Sequence, residues 1–149
     1  NGGFSLRSQR LLRAGHDPCI VQEHPEDLAL CQTYRDVLAR KHDLHFAPPA
    51  LARRFAFENE VPARPSFGFH GPYNLPRVLD EAEMRSCLEQ LPDDFFRSRD
   101  ARRLARALLR ARMAGVAQQL IQRRLAAGRR DPNTRVLGWL AGGMARLGA

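Results

Sequence analysis

Pro92-Asp93-Asp94 divides this sequence into two stretches of different charge, and that division limits the fold more than any other single feature. Residues 1–96 carry 11 basic and 14 acidic side chains, a balance of −3, whereas residues 97–149 carry 13 and 2, a balance of +11. At 149 residues the chain is long enough for one domain with a core, or for one and a half small ones. Residues 1–92 and 93–149 are accordingly read as separate pieces.

The formal net charge of +8 would by itself suggest nucleic acid or an anionic surface. All 24 basic residues except Lys41 are arginine, a bias that a GC-rich genome can produce. Beyond Phe96 the only aromatic is Trp139, so no base-stacking rings are interleaved with the arginines, and nucleic-acid binding ranks last. Cys19, Cys31 and Cys87 are odd in number and form no CxxC, which supports neither a disulfide framework nor a zinc knuckle. A reduced, cytoplasmic setting is expected. No apolar run approaches the roughly 20 residues needed to cross a bilayer.

Local patterns place the elements. Phe4-Ser5-Leu6 alternates as a short strand does, and Ser8 can N-cap a following helix that Gly15 ends. A second helix is expected from Pro25 to about Lys41, with Leu28, Cys31, Tyr34, Val37 and Leu38 on its apolar face. Leu44–Phe46, Arg54–Glu58 and Phe67–His70 read as strands, and Asp80–Leu91 as a third helix. Residues 100–127 read as two helices broken at Gly115, with Leu104, Leu108 and Ala111 on one stripe and Val116, Leu120 and Leu125 on the next. Asp131-Pro132 supplies an N-cap and an N1 proline for a last helix, with Val136, Leu137, Leu140, Ala141 and Met144 at helical spacing. Gly115, Ala127, Asp131-Pro132-Asn133 and Gly142 resemble a tetratricopeptide repeat and the start of another; a plain helical appendage explains the same pattern.

The chemistry is carried by three stretches: Asn1-Gly2-Gly3-Phe4-Ser5-Leu6-Arg7, His24-Pro25-Glu26-Asp27, and Phe67-Gly68-Phe69-His70-Gly71. Together they resemble the acceptor-side half of a GT-A-type glycosyltransferase, and residues 1–79 are similar to a bacterial family of such domains. The resemblance implies an α/β fold over 1–92, the acceptor-side half of a nucleotide-diphospho-sugar transferase, followed by an all-α basic tail over 93–149. It implies a metal-dependent enzyme that moves a sugar from a nucleotide-sugar donor to a glycan or protein acceptor, with Mn²⁺ or Mg²⁺ as cofactor, in the making of bacterial polysaccharides or glycosylated proteins.

By that resemblance Asp27 is the general base, Glu26 ligates an acceptor hydroxyl, and His70 is the metal or diphosphate ligand. Asn1, Gly2 and Gly3 would line the sugar site, Arg7 would approach the diphosphate, and Asn74 would help close the site, with Tyr73 available to stack on a sugar face. A carboxylate near a helix N-terminus is held ionised by the dipole, which suits a base. Acidic residues in a first helical turn are equally common for stability alone. No Asp-x-Asp occurs, and the chain opens mid-motif on Asn1 without an initiator Met. It is expected to be the C-terminal piece of a longer protein, unable alone to turn over a sugar nucleotide. The rival expectation is a non-catalytic interaction module whose helical tail binds a protein partner.

Overall fold

Helix capping, more than strand alternation, sets the local structure of this chain. Ser8 accepts the Leu11 amide at 3.2 Å and starts α1 (Gln9–Ala14). Asp80 and Glu83 form a reciprocal capping box at the start of α5 (Glu81–Gln90). Ser98 accepts the Ala101 amide at 3.1 Å and starts α7 (Arg99–Arg110). Between these lie α2 (Glu26–Leu28), which runs into a π-helical segment (Ala29–Thr33), then α3 (Arg35–His42) and α4 (Pro49–Phe55). The strands β1 (Ala56–Phe57) and β2 (Gly68–Phe69) follow, then a 3-10 helix (Pro72–Arg77). The chain closes with α6 (Asp93–Arg97) ahead of α7, and α8 (Ala114–Ala126) and α9 (Pro132–Leu147) after it.

The computed structural model describes residues 5–21, 23–59 and 65–147, of which 66% are helical and 3% in strand. The expected α/β fold is overturned. Among the described residues the only sheet is a parallel pair with Ala56 opposite Gly68 and Phe57 opposite Phe69, and no GT-A-like sheet core exists. The physical reasons are local. Pro49 takes the first turn of α4, and helix then runs through Arg54 and Phe55, so alternation over 54–58 survives in two residues only. Leu44–Phe46 is spent on ending α3: Asp43 adopts the left-handed conformation (φ 48°) and the Leu44 amide reaches back to the Leu38 carbonyl at 3.1 Å. Ser5 and Leu6 form no strand, and Phe4 lies outside the described residues.

The expected helix over 25–41 is interrupted by the π segment, where the Tyr34 amide bonds to the Ala29 carbonyl five residues back. The wider turn rotates the apolar face. Ala29 and Leu38 are buried, while Leu28 and Cys31 are exposed.

The chain divides into two compact units, Asn1–His70 and Gly71–Ala149. Composition shifts at 92, but α5 belongs to the second unit and supplies Met84 and Leu88 to its core. That core is completed by Phe96, Leu104, Leu108, Val116, Leu120, Ile121, Leu137 and Ala141, all essentially out of solvent. Leu104 and Leu108 face inward as expected, but Ala111 does not, because α7 ends at Arg110 and Arg112 takes a left-handed conformation (φ 62°). Gly115 sits inside α8 and does not break it; a Cβ there would meet the Arg85 guanidinium at 2.6 Å, so the glycine admits α5.

Arg124 of α8 is buried, with 4% of its surface exposed, and its guanidinium is almost fully used. Nε donates to Thr134 Oγ1 at 2.9 Å, Nη1 to the carbonyls of Phe96 and Ser98 at 2.8 and 2.7 Å, and Nη2 faces Asp131 Oδ2 at 3.4 Å. Asp131 caps α9 through the Thr134 amide and hydroxyl. Replacing Arg124 by Met strands these acceptors in an apolar interior and is expected to cost about 3 kcal/mol. Lysine cannot reproduce the fork and should rescue little. Thermal unfolding of the two variants beside Leu104→Ala, itself expected to cost about 3 kcal/mol, checks this; wild-type stability in Arg124→Met would refute it.

Candidate functional site

The first unit holds an open cleft of about 510 Å³, lined by Gly15, Ile20, Val21, Glu23, His24, Glu26, Ala29, Leu30 and Tyr34. It lies where the turn after α1, the His24–Glu26 entry to α2 and the π segment meet. The apolar part of the wall comes from Ile20, Val21, Ala29 and Leu30. Each polar residue has a local cause. His24 and Glu26 come to the cleft from the entry and first residue of α2. The wide π turn places Tyr34 on the wall, where its hydroxyl donates to Glu23 Oε1 at 3.1 Å. Partial desolvation first, and the Glu23 carboxylate second, raise the Tyr34 pKa above its ordinary value.

Arg7 Nη2 donates to Glu26 Oε1 in an ion pair. Two residues 19 positions apart are thereby joined beside the cleft. Among the described residues no partner meets the second oxygen of Glu26. A carboxylate with one oxygen clamped and the other open, beside a tyrosine and an imidazole, is suited to binding hydroxyl groups.

The other expected site residues fall elsewhere. Asp27 does not line the cleft, and its Oδ1 accepts the amide of the next residue, Leu28, at 3.0 Å. The α-helical stretch there is three residues long and passes directly into the π segment. His70 Nδ1 is 3.7 Å from Glu58 Oε1, with both side chains part-exposed, and His70 is not in the cleft wall. No group of three or more His, Cys, Asp or Glu side chains that could hold a metal ion occurs among the described residues. Asn74 is buried in the 3-10 helix of the second unit and accepts Arg77 Nε at 3.3 Å. Tyr73 is covered by the Arg103 guanidinium, 3.5 Å from the ring centroid, so its face is already stacked. Asn1, Gly2 and Gly3 lie outside the described residues.

Sequence reasoning missed the strongest electrostatic cluster of this unit. Asp17 is nearly buried and accepts the Cys19 amide and Lys41 Nζ, each at 2.9 Å, on one oxygen. Its other oxygen meets Lys41 Nζ and His42 Nε2, both at 2.7 Å. This knot ties the loop after α1 to the end of α3, on either side of the chain that builds the cleft. Lys41, then the Cys19 amide, hold the Asp17 carboxyl far below the ordinary carboxylate range, and the same pairing raises Lys41. The only sequence signal was that Lys41 is the sole lysine.

No known protein-family model, curated protein or solved structure matches the chain. No helix among the described residues is long and apolar enough to cross a membrane.

Because the folded-state pKa of Asp17 is depressed, its contribution is whole above the ordinary carboxyl value near pH 4 and drains as the pH falls below it. Unfolding of the first unit between pH 7 and 2.5, followed by circular dichroism, should show this loss. Asp17→Asn should be less stable at pH 7 and flatter in acid; a parallel acid slope in both proteins would refute the assignment.

Proposed function

We propose that the cleft binds the acceptor of a sugar-transfer reaction, with Glu26 as the carboxylate that takes an acceptor hydroxyl. The observation that supports this is the Arg7–Glu26 ion pair, which sets Arg7 against a carboxylate that lines the cleft. The ion pair with Arg7 fixes the Glu26 rotamer, so the remaining oxygen is pre-positioned to accept a hydrogen bond from a hydroxyl. Of the Glu26–Asp27 pair only Glu26 reaches the cleft, so the proton-accepting role goes with it. Tyr34 and the aliphatic wall suit the mixed polar and apolar faces of a sugar ring.

His70 with Glu58 beside it offers two candidate contacts for a divalent ion that neutralises a leaving diphosphate; no described cluster offers a fuller set. The proposed setting is the cytoplasm, with Cys19, Cys31 and Cys87 as free thiols.

Saturation-transfer NMR of the full chain with a panel of mono- and disaccharides tests the reading. Binding should weaken at least tenfold, about 1.4 kcal/mol, in Glu26→Gln, weaken in Arg7→Ala, and stay within about twofold in Asp27→Asn. Absence of saccharide binding, or loss in Asp27→Asn alone, would overturn it.

A further inference from the structure

Val136, Leu137, Leu140, Ala141 and Met144 of α9 lie at helical spacing, and the structure splits that set. Thr134, Leu137 and Ala141 are buried against α8, while Val136, Trp139, Leu140 and Leu147 stand in solvent. Trp139 is 77% exposed and Leu147 90%. At about 100° per residue these four fall within roughly 100° of arc, a single apolar ridge along a helix about 24 Å long. Scattered exposed leucines are ordinary; a stripe of them with the only tryptophan along one edge is not.

Charge decides what fits the ridge. Helix α9 contains no acidic residue, and its arginines, Arg135 and Arg146, lie roughly 80–100° round from Val136, bordering the Trp139 side. Arg129 and Arg130 precede the helix and are exposed.

The helices repeat. A shift from 98 to 131 carries the N-cap Ser98 onto Asp131, each accepting the amide three residues on at 3.1 Å. The same shift of 33 carries buried Ala101, Leu104 and Leu108 onto buried Thr134, Leu137 and Ala141. Arg99, Arg106 and Arg110, all exposed on α7, map onto Pro132, Trp139 and Gly143 of α9. The outer edges of the two repeat-equivalent helices are thus basic on α7 and apolar with arginine flanks on α9.

We propose that this face docks the protein peripherally on an anionic lipid surface, with Trp139, Val136, Leu140 and Leu147 entering the headgroup–acyl boundary and the arginines meeting lipid phosphates. A tryptophan–leucine ridge flanked by arginines is the composition an interfacial helix needs, and α9 is too short and too polar to span. A second copy of the chain fits poorly, since two stretches each of balance +11 would have to approach. A polyanion such as nucleic acid would use the arginines and leave the apolar ridge in water.

Because Trp139 is the only tryptophan, it reports directly. The full chain is mixed with vesicles of phosphatidylcholine containing about 30% phosphatidylserine, and with vesicles of phosphatidylcholine alone, chosen to separate charge from apolar insertion. The expected result is sedimentation with the anionic vesicles, a shift of Trp139 emission to shorter wavelength, and severalfold weakening as salt rises from about 0.1 to 0.5 M. Trp139→Ser with Leu147→Ser, both exposed and so harmless to the core, should lower vesicle affinity about tenfold or more. Arg135→Glu with Arg146→Glu should do the same, with unchanged circular dichroism. Vesicle binding without the emission shift would overturn the proposal, as would no vesicle binding. An emission shift produced instead by protein concentration, by an oligonucleotide or by a polyglutamate peptide, with vesicles inert, would assign the ridge to that partner and also overturn it.

Discussion

A guanidinium taken out of water must have nearly all its donors met, because an uncompensated buried charge costs several kcal/mol. Arg124 satisfies that demand by gathering parts of the second unit that are distant in sequence. It holds the carbonyls at the α6–α7 junction, the threonine in the first turn of α9, and the aspartate that caps α9. The apolar core around Leu104, Leu108, Leu120 and Leu137 supplies most of the stabilisation, but such contacts have little direction. The arginine fork supplies direction, fixing where α9 begins relative to α6 and α7. The outward ridge of α9 follows, because once Thr134 and Leu137 face Arg124 and the core, Val136 and Trp139 have only solvent to face.

The first unit is held together differently. Among its described residues the buried apolar ones are few, Ala14, Ala29, Leu38 and Ala56, so polar ties matter more. Asp17 joins Lys41 and His42 across the unit, and Arg7 joins Glu26 at the rim of the cleft. Rigid positioning of a cleft carboxylate in a sparsely packed unit depends on such charge-assisted bonds. The π segment adds a local device: one extra residue in a turn sets Tyr34 on the cleft wall while Ala29 and Leu38 are buried.

Much of the helical unit was legible. Asp80, Asp131 and Pro132 act where their chemistry placed them. Leu104, Leu108, Val116 and Leu120 are buried as their spacing indicated. The first unit was misread because short alternating runs such as Arg54–Glu58 carry little information about strand pairing, whereas Pro49 carries definite information about a helix start. In the candidate site, Arg7 and Glu26 were singled out from their motifs, but their pairing was not legible. Asp17 escaped notice because a lone aspartate in a loop looks like any other solvated aspartate until Lys41 and His42 are folded against it.

The sequence by itself determined the helix starts at Ser8, Asp80 and Asp131, because capping and proline placement act within four or five residues. It also determined that charge is segregated, which needs no fold. Only the tertiary structure decided which half of an apolar helix face is buried, which carboxylate of an adjacent pair reaches a cleft, and which lone charges become a network. Those outcomes depend on contacts between residues 10 to 40 positions apart, such as Arg124 with Thr134 and Lys41 with Asp17, whose pairing local propensity does not encode.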